Sequence, residues 1–322
     1  MSFSLTQAFG SAARHLRPGW PFKFGGAKNG GLAVLSACPG GVAAVRLERT
    51  GLKFRVATFA LQEAPVVTAG ILAHLAGEAG LKKTLLIALL PPETYQMLLL
   101  ETPVVPDDEL TSAVRWKIKD MVDYHIDEAV FELLKLPGGG SGRPSYLYAV
   151  TAPAQAIREL LALYREHGLA IEVIDVEETA QRNIGAKLEP PGHAVGLLRV
   201  FGERGLLTFT YAGELVLARR IDLRGVPAAE MMDRLVLETQ RSIDYFERQF
   251  HVLPLAKLYL APMADSDALY RQLHEQLTLP VERLDLGLIF DFGDYAELQQ
   301  PATQARVFHA LGAAMRDRKA AA

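Results

Sequence analysis

Residues 32–49 read LAVLSACPGGVAAVRLER, two short apolar runs joined by Cys38-Pro39-Gly40-Gly41. Apolar runs bounded by glycine and proline are strand signals, and paired glycines allow a sharp turn. A third run over 52–60, a helical pattern over 66–78 and a strand over 84–90 follow. The same order returns later in the chain. Runs over 194–200 and 206–211 flank Gly202-Glu203-Arg204-Gly205, a strand over 214–222 follows Ala212-Gly213, and a long helical pattern over 227–250 leads to a strand over 257–260. Both halves read strand, strand, strand, helix, strand. A hairpin meander with a helical crossover gives a mixed sheet covered on its faces, so the reading is an α/β chain of two lobes, and ligand clefts often lie between such lobes.

Between the repeats, residues 95–176 carry their own order: strand, helix 107–121, strand 128–136, the loop Gly138-Gly139-Gly140-Ser141-Gly142, strand 145–151, helix 153–167 and strand 169–176. This reads as a small α+β subdomain inserted in the first lobe. The expected organisation is a leader over 1–31, a first lobe over 32–92, the insert over 93–176 and a second lobe over 177–322, whose last helix returns to the first lobe. The leader is rich in Gly, Pro, Arg and Lys, which reads as a tail. Its Phe3, Leu5 and Phe9 near Arg14, His15 and Arg17 also fit a weak basic amphipathic segment that touches a membrane or a partner.

At 322 residues, half apolar and 22% charged, the chain is long enough for two ordinary cores. A net charge of -3 gives no general attraction for nucleic acid or anionic lipid. Cys38 is the sole cysteine, so disulfides, cysteine zinc sites and a CxxC redox pair are excluded, and a reducing compartment fits. The most apolar stretch, 84–100, is cut by Pro91-Pro92 and carries Glu93, so it reads as two strands around a turn and no membrane span is expected. A cytoplasmic location follows.

Four motifs in order give the chain a family resemblance. They are Ala113-Val114-Arg115-Trp116-Lys117 with Ile126-Asp127-Glu128; Val173-Ile174-Asp175-Val176-Glu177 running to Asn183; Ala212-Gly213-Glu214-Leu215-Val216 with Arg219; and Glu238-Thr239-Gln240-Arg241-Ser242-Ile243-Asp244-Tyr245-Phe246. Across most of 32–316 the chain resembles the PilM-like proteins of type IV pilus assembly, and within them the MSHA-type, MshI-like members. The resemblance implies an actin-like, FtsA-like fold and an ancestral ATP site built from two glycine turns, two aspartates and a glycine pair facing adenosine. Backbone N–H groups of such turns cradle phosphate, and magnesium needs carboxylates or the waters they hold.

Set against that pattern, the metal acids are missing. No acidic residue precedes Glu48 and no Asp precedes Asp107, so Ser36 takes the first aspartate position ahead of Gly40 and Gly41. No Asp lies between Asp175 and Asp222, and Arg199 takes the second position. Glu203 sits in the Gly202 turn, where it would repel phosphate. The adenosine segment is Ala261-Pro262, with no glycine between Gly225 and Gly287. Glu238 and Arg241, in the fourth motif, complete the positions of the degenerate nucleotide site. Loss of both acids removes charge compensation, and loss of the glycine pair removes room. The expectation is a scaffold and not an enzyme, with no catalytic residues, no metal site, and ATP and magnesium binding lost or weak; Arg199 would leave room for an anion.

Other constellations have ordinary readings. Asp120, Asp123, His125, Asp127 and Glu128 straddle a helix end and a strand start, which reads as a solvated connection. The loop 138–143 has a passing likeness to a phosphate-binding loop but lacks its Lys-Ser/Thr step. Cys38 has no His near it and reads as incidental. On the helix over 107–121, Arg115 and Lys119 are four apart beside Trp116, a face suited to a partner, although Trp116 also reads as core. The resemblance implies that a PilN-like inner-membrane protein lays its cytoplasmic tail between the first lobe and the insert, by main-chain pairing and side-chain pockets. It further implies the assembly motor ATPase as a partner and peripheral association with the inner membrane. Rival readings are an actin-fold ATPase with residual nucleotide binding and a GspL-like scaffold of type II secretion.

Overall fold

A computed structural model of the chain describes residues 32–137 and 145–316. The expectations for the leader and for the glycine-rich loop lie outside these residues. The described residues divide into two compact units, one of 32–46 with 60–177 and one of 47–59 with 178–316.

The first unit is built around β1 (Ala33–Cys38), β2 (Gly41–Thr50), β3 (Lys53–Glu63), α1 (Ala69–Glu78), β4 (Leu86–Leu89) and β8 (Ile171–Asp175). The sheet runs β14-β3-β2-β1-β4-β8, where β14 is Phe290–Asp291, and the tip of the β2–β3 hairpin belongs to the second unit. β1 is antiparallel to β2 and parallel to β4, which is parallel to β8. A central strand is covered on both faces, which is why 33–35 is an unbroken apolar run with no exposed residue. Its core joins Leu35, Val42 and Ala44 to Leu72 and Leu75 of α1. Thr68 caps α1 by accepting the N–H of Ile71.

The insert adds β5 (Gln96–Glu101), α2 (Leu110–Ile118), β6 (Ala129–Lys135), β7 (Tyr146–Pro153) and α3 (Ala154–Arg165), with its own antiparallel sheet in the order β5-β7-β6. One face packs on α2 through Leu100, Phe131, Leu147, Ala149, Val114 and Ile118. The other packs Val150 and Ala152 on Ile157 of α3, Leu90 and Val176. Helix α3 serves both cores, because Leu160 touches each and Tyr164 is buried in the first. α2 is shorter than the expected 107–121. Glu109 N–H closes a turn on Pro106 and Met121 N–H closes one on Ile118, so both ends leave the helical ladder.

The second unit holds α4 (Glu177–Gly185), β9 (Ala194–Phe201), β10 (Arg204–Tyr211), β11 (Glu214–Asp222), α5 (Met231–Gln249), β12 (Leu255–Leu260), α6 (Asp267–Gln276), β13 (Val281–Arg283) and α7 (Pro301–Ala314). Its sheet runs β11-β10-β9-β12-β13. β9 is antiparallel to β10 and parallel to β12, the wiring that β1 has with β2 and β4. The duplication read from the sequence is thus a duplication of strand pairing. Phe209 of β10 stacks on Phe246 of α5 at 4.7 Å. α7, expected to return to the first lobe, belongs to the second unit: a Cβ on Gly312 would lie 2.2 Å from the carbonyl oxygen of Ala180 in α4, so only glycine permits that approach. Among the described residues no helix is long and apolar enough to cross a membrane.

Candidate functional site

In the first unit, Ser36 lies near the end of β1 and is buried. Its Oγ accepts the N–H of Leu89 at 2.9 Å and donates to the carbonyl of Leu89 at 3.4 Å. One residue back, the Leu35 carbonyl accepts the Tyr164 hydroxyl at 2.5 Å, and burial holds that phenol well above its ordinary range. The hydroxyl of Ser36 is therefore spent inside the sheet. Gly40 has φ of 75°, and a Cβ on Gly41 would stand 2.0 Å from the carbonyl oxygen of Gln62 in β3. The glycines are required by the turn and by the strand passing over it.

In the second unit, Arg199 of β9 is 7% exposed. Its Nη2 donates to the carbonyl of Ala305 in α7 at 2.9 Å, and its guanidinium lies 5.3 Å from the Phe201 ring centre. Gly202 has φ of 57° and Glu203 is exposed at the turn. Beside them Arg224 binds both oxygens of Asp222, holding that carboxyl down at about 2, mainly by hydrogen bonding. Glu238 is paired within α5 to Arg234 at 3.1 Å and Arg241 at 2.9 Å. Ala261 is buried, donating its N–H to Leu198 at 2.8 Å, and Pro262 follows it. Of the ten expected positions, Ser36, Gly40 and Gly41 fall in the first unit and the rest in the second, and the side chains of Ser36, Arg199, Glu238 and Arg241 are engaged by their own unit.

In the insert, Trp116 is 72% exposed, with Lys119 Nζ 5.7 Å from its ring centre. The core reading fails, because the inward stripe of α2 is Leu110, Val114 and Ile118 and position 116 falls outside it. Arg115 has a different task. It donates to the Ile126 carbonyl at 2.8 Å and lies 5.2 Å from the Phe131 ring centre, tying α2 to the start of β6. Nearby, His125 and Asp127 are exposed and 3.5 Å apart.

One residue with an unusual setting, Glu132, was not singled out from the sequence. Glu132 lies on β6 opposite Val150, which is itself opposite Met97 of β5, and Val130 and Leu134 share its face. Its carboxylate has no hydrogen bond or ion pair among the described residues, and partial burial pushes it up to about 7. A polar residue between Phe131 and Leu133 gives no sign in sequence of which face is lined by apolar neighbours.

No family model matches the chain, and no curated protein matches it significantly. Among solved structures, a chain of the PilM-PilN type IV pilus biogenesis complex is 19% identical, with a TM-score of 0.71 over 88% of this chain and 98% of that one. The cytoplasmic domain of EpsL, an inner-membrane component of the type II secretion system of Vibrio cholerae, is 10% identical with a TM-score of 0.49, over 88% of this chain and 94% of that one. A Bacteroides thetaiotaomicron protein of actin-like ATPase fold and unknown function is 8% identical with a TM-score of 0.47, over 79% and 90%.

Proposed function

We propose that this chain, of mixed α/β, actin-like ATPase fold, is a PilM-type scaffold of type IV, MSHA-type pilus assembly, cytoplasmic and held at the inner membrane by its partners. It binds the extended cytoplasmic tail of a PilN-like protein between the first lobe and the insert, and it does not turn over ATP. The observation that carries this reading is the match to a chain of the PilM-PilN complex over 88% of this chain and 98% of that one.

The loss of ATP chemistry rests on the engagement of Ser36 and Arg199. A magnesium-bound nucleotide needs carboxylates at these two strand ends, and the residues present do not fit it. Ser36 Oγ has its donor and acceptor capacity taken up by Leu89, and the Arg199 guanidinium is anchored to α7. Ala261 and Pro262 place side chains where the ancestral glycine pair would leave room for adenosine. The exposed Trp116 with Lys119 is a further surface suited to the assembly motor, since exposed aromatic and cationic area is enriched at interface anchors.

Calorimetry tests both halves of the proposal. ATP with magnesium should give no binding heat, and the amino-terminal peptide of a PilN-like protein should bind. Micromolar, magnesium-dependent ATP binding would sink the scaffold reading, and a folded protein that ignores the peptide would sink the tail assignment.

A further inference from the structure

The seam between the three-stranded sheet and the first lobe is lined by Val150, Ala152, Ile157, Leu90 and Val176. At its margin Glu132 is a half-buried carboxylate that shares a face with its cross-strand neighbour Val150 and with Val130 and Leu134 of its own strand, with no partner for its oxygens among the described residues. Such a group is costly to the fold alone, because apolar neighbours neither solvate nor screen its charge. The same neighbours make it a strong attractor for an arriving cation. Its place in the sheet adds a second constraint. β6 is an edge strand, paired among the described residues with β7 alone, so an extended segment can hydrogen-bond to its outer edge. A residue of that segment opposite Glu132 would then have its side chain on the same face, within cross-strand reach.

We propose that Glu132 is the counter-charge for a Lys, an Arg or a free amino terminus on the partner's extended tail, which pairs along β6 and sets the cation among apolar neighbours. This deepens the tail-binding reading and rests on it. Specificity follows from charge complementarity. A tail with an apolar or acidic residue at that point leaves the carboxylate buried and unpaired, or repels it, so the site rejects it.

The test uses the full chain near pH 8, where Glu132 is ionised. Two synthetic peptides are titrated: about the first dozen residues of a PilN-like protein, and the same peptide acetylated with each Lys and Arg replaced by Met. Glu132→Gln should weaken the native peptide about tenfold, as expected for loss of one charge-assisted hydrogen bond, and leave the neutral peptide within about twofold. Gln has the shape of Glu and removes the uncompensated charge, so the variant folds. Equal weakening of both peptides, or of neither, overturns the counter-charge. If the wild-type chain binds neither peptide, the tail-binding reading falls with it. If the Glu132 effect disappears on deleting residues 1–31, the cation belongs to this chain and the partner assignment is overturned.

Discussion

Ser36 and Leu89 close a side-chain to main-chain ring between β1 and β4, with Leu89 giving its N–H to Oγ and taking the hydroxyl hydrogen on its carbonyl. An aspartate at this point accepts but does not donate. Ser36→Asp, the change that places a carboxylate at the proposed first metal position, should therefore lower stability by about 2–4 kcal/mol through a buried charge facing a carbonyl, and give no magnesium-dependent ATP binding. Denaturant unfolding and calorimetry on the same sample check both halves. Gain of magnesium-ATP binding at undiminished stability would show that the hydroxyl is dispensable to the sheet.

Arg199→Met keeps much of the side chain's volume and removes the donor to Ala305. The expected cost is about 2–3 kcal/mol, because the bond is charge-assisted and buried. Hydrogen exchange should accelerate first across 301–314, since α7 loses that anchor. An anion ligand role for Arg199 predicts the opposite: unchanged exchange and lost phosphate binding.

Glu132 gives the chain a signed pH dependence. Its folded value of about 7 lies above the ordinary 4.5, so the folded state holds this proton more tightly than the unfolded state does. This contribution is harmless below about 4.5, and stability falls as pH rises through 7. Glu132→Gln should be more stable than wild type above pH 7 by about 1 kcal/mol, once solvent screening of a part-exposed group is allowed for. The two unfolding curves should converge at acidic pH. A gap that is constant with pH would show that the carboxylate titrates normally.

Trp116→Ser should leave stability within about 0.5 kcal/mol, as expected of an exposed side chain outside the core. In a Trp20→Phe background, Trp116 is the one remaining tryptophan, and acrylamide should quench it efficiently. Protection from quenching on adding the assembly motor would mark this face as its contact. Inefficient quenching in the free protein would place the ring in a core.

The strand-strand-strand-helix-strand order was legible because each element carries a strong local signal: Gly40-Gly41 and Gly202 at the turns, and apolar runs over 33–35 of β1 and 194–198 of β9. The absence of Asp before Asp107 and between Asp175 and Asp222 was equally legible, being a matter of which residues occur. What sequence did not disclose was where Ser36 and Arg199 spend their polar groups. Arg199 meets a carbonyl 106 residues away, Ser36 one 53 residues away, and neither separation leaves a local pattern. Glu132 was missed for a related reason. In Ala129–Lys135 the apolar residues fall on both faces, so the period of two that would flag an inward charge is absent. The ends of α2 were overextended because Asp107 and Asp108 suit a first helical turn as well as the tight turn they occupy.

Helix α3 has its Tyr164 hydroxyl fastened to β1 and its Leu160 wedged between two cores. In mechanical terms it is an axle keyed into two wheels, since one helix is packed into both cores. If the proposed tail binds the insert, a pull on that tail would reach the central strand through the Tyr164 hydroxyl.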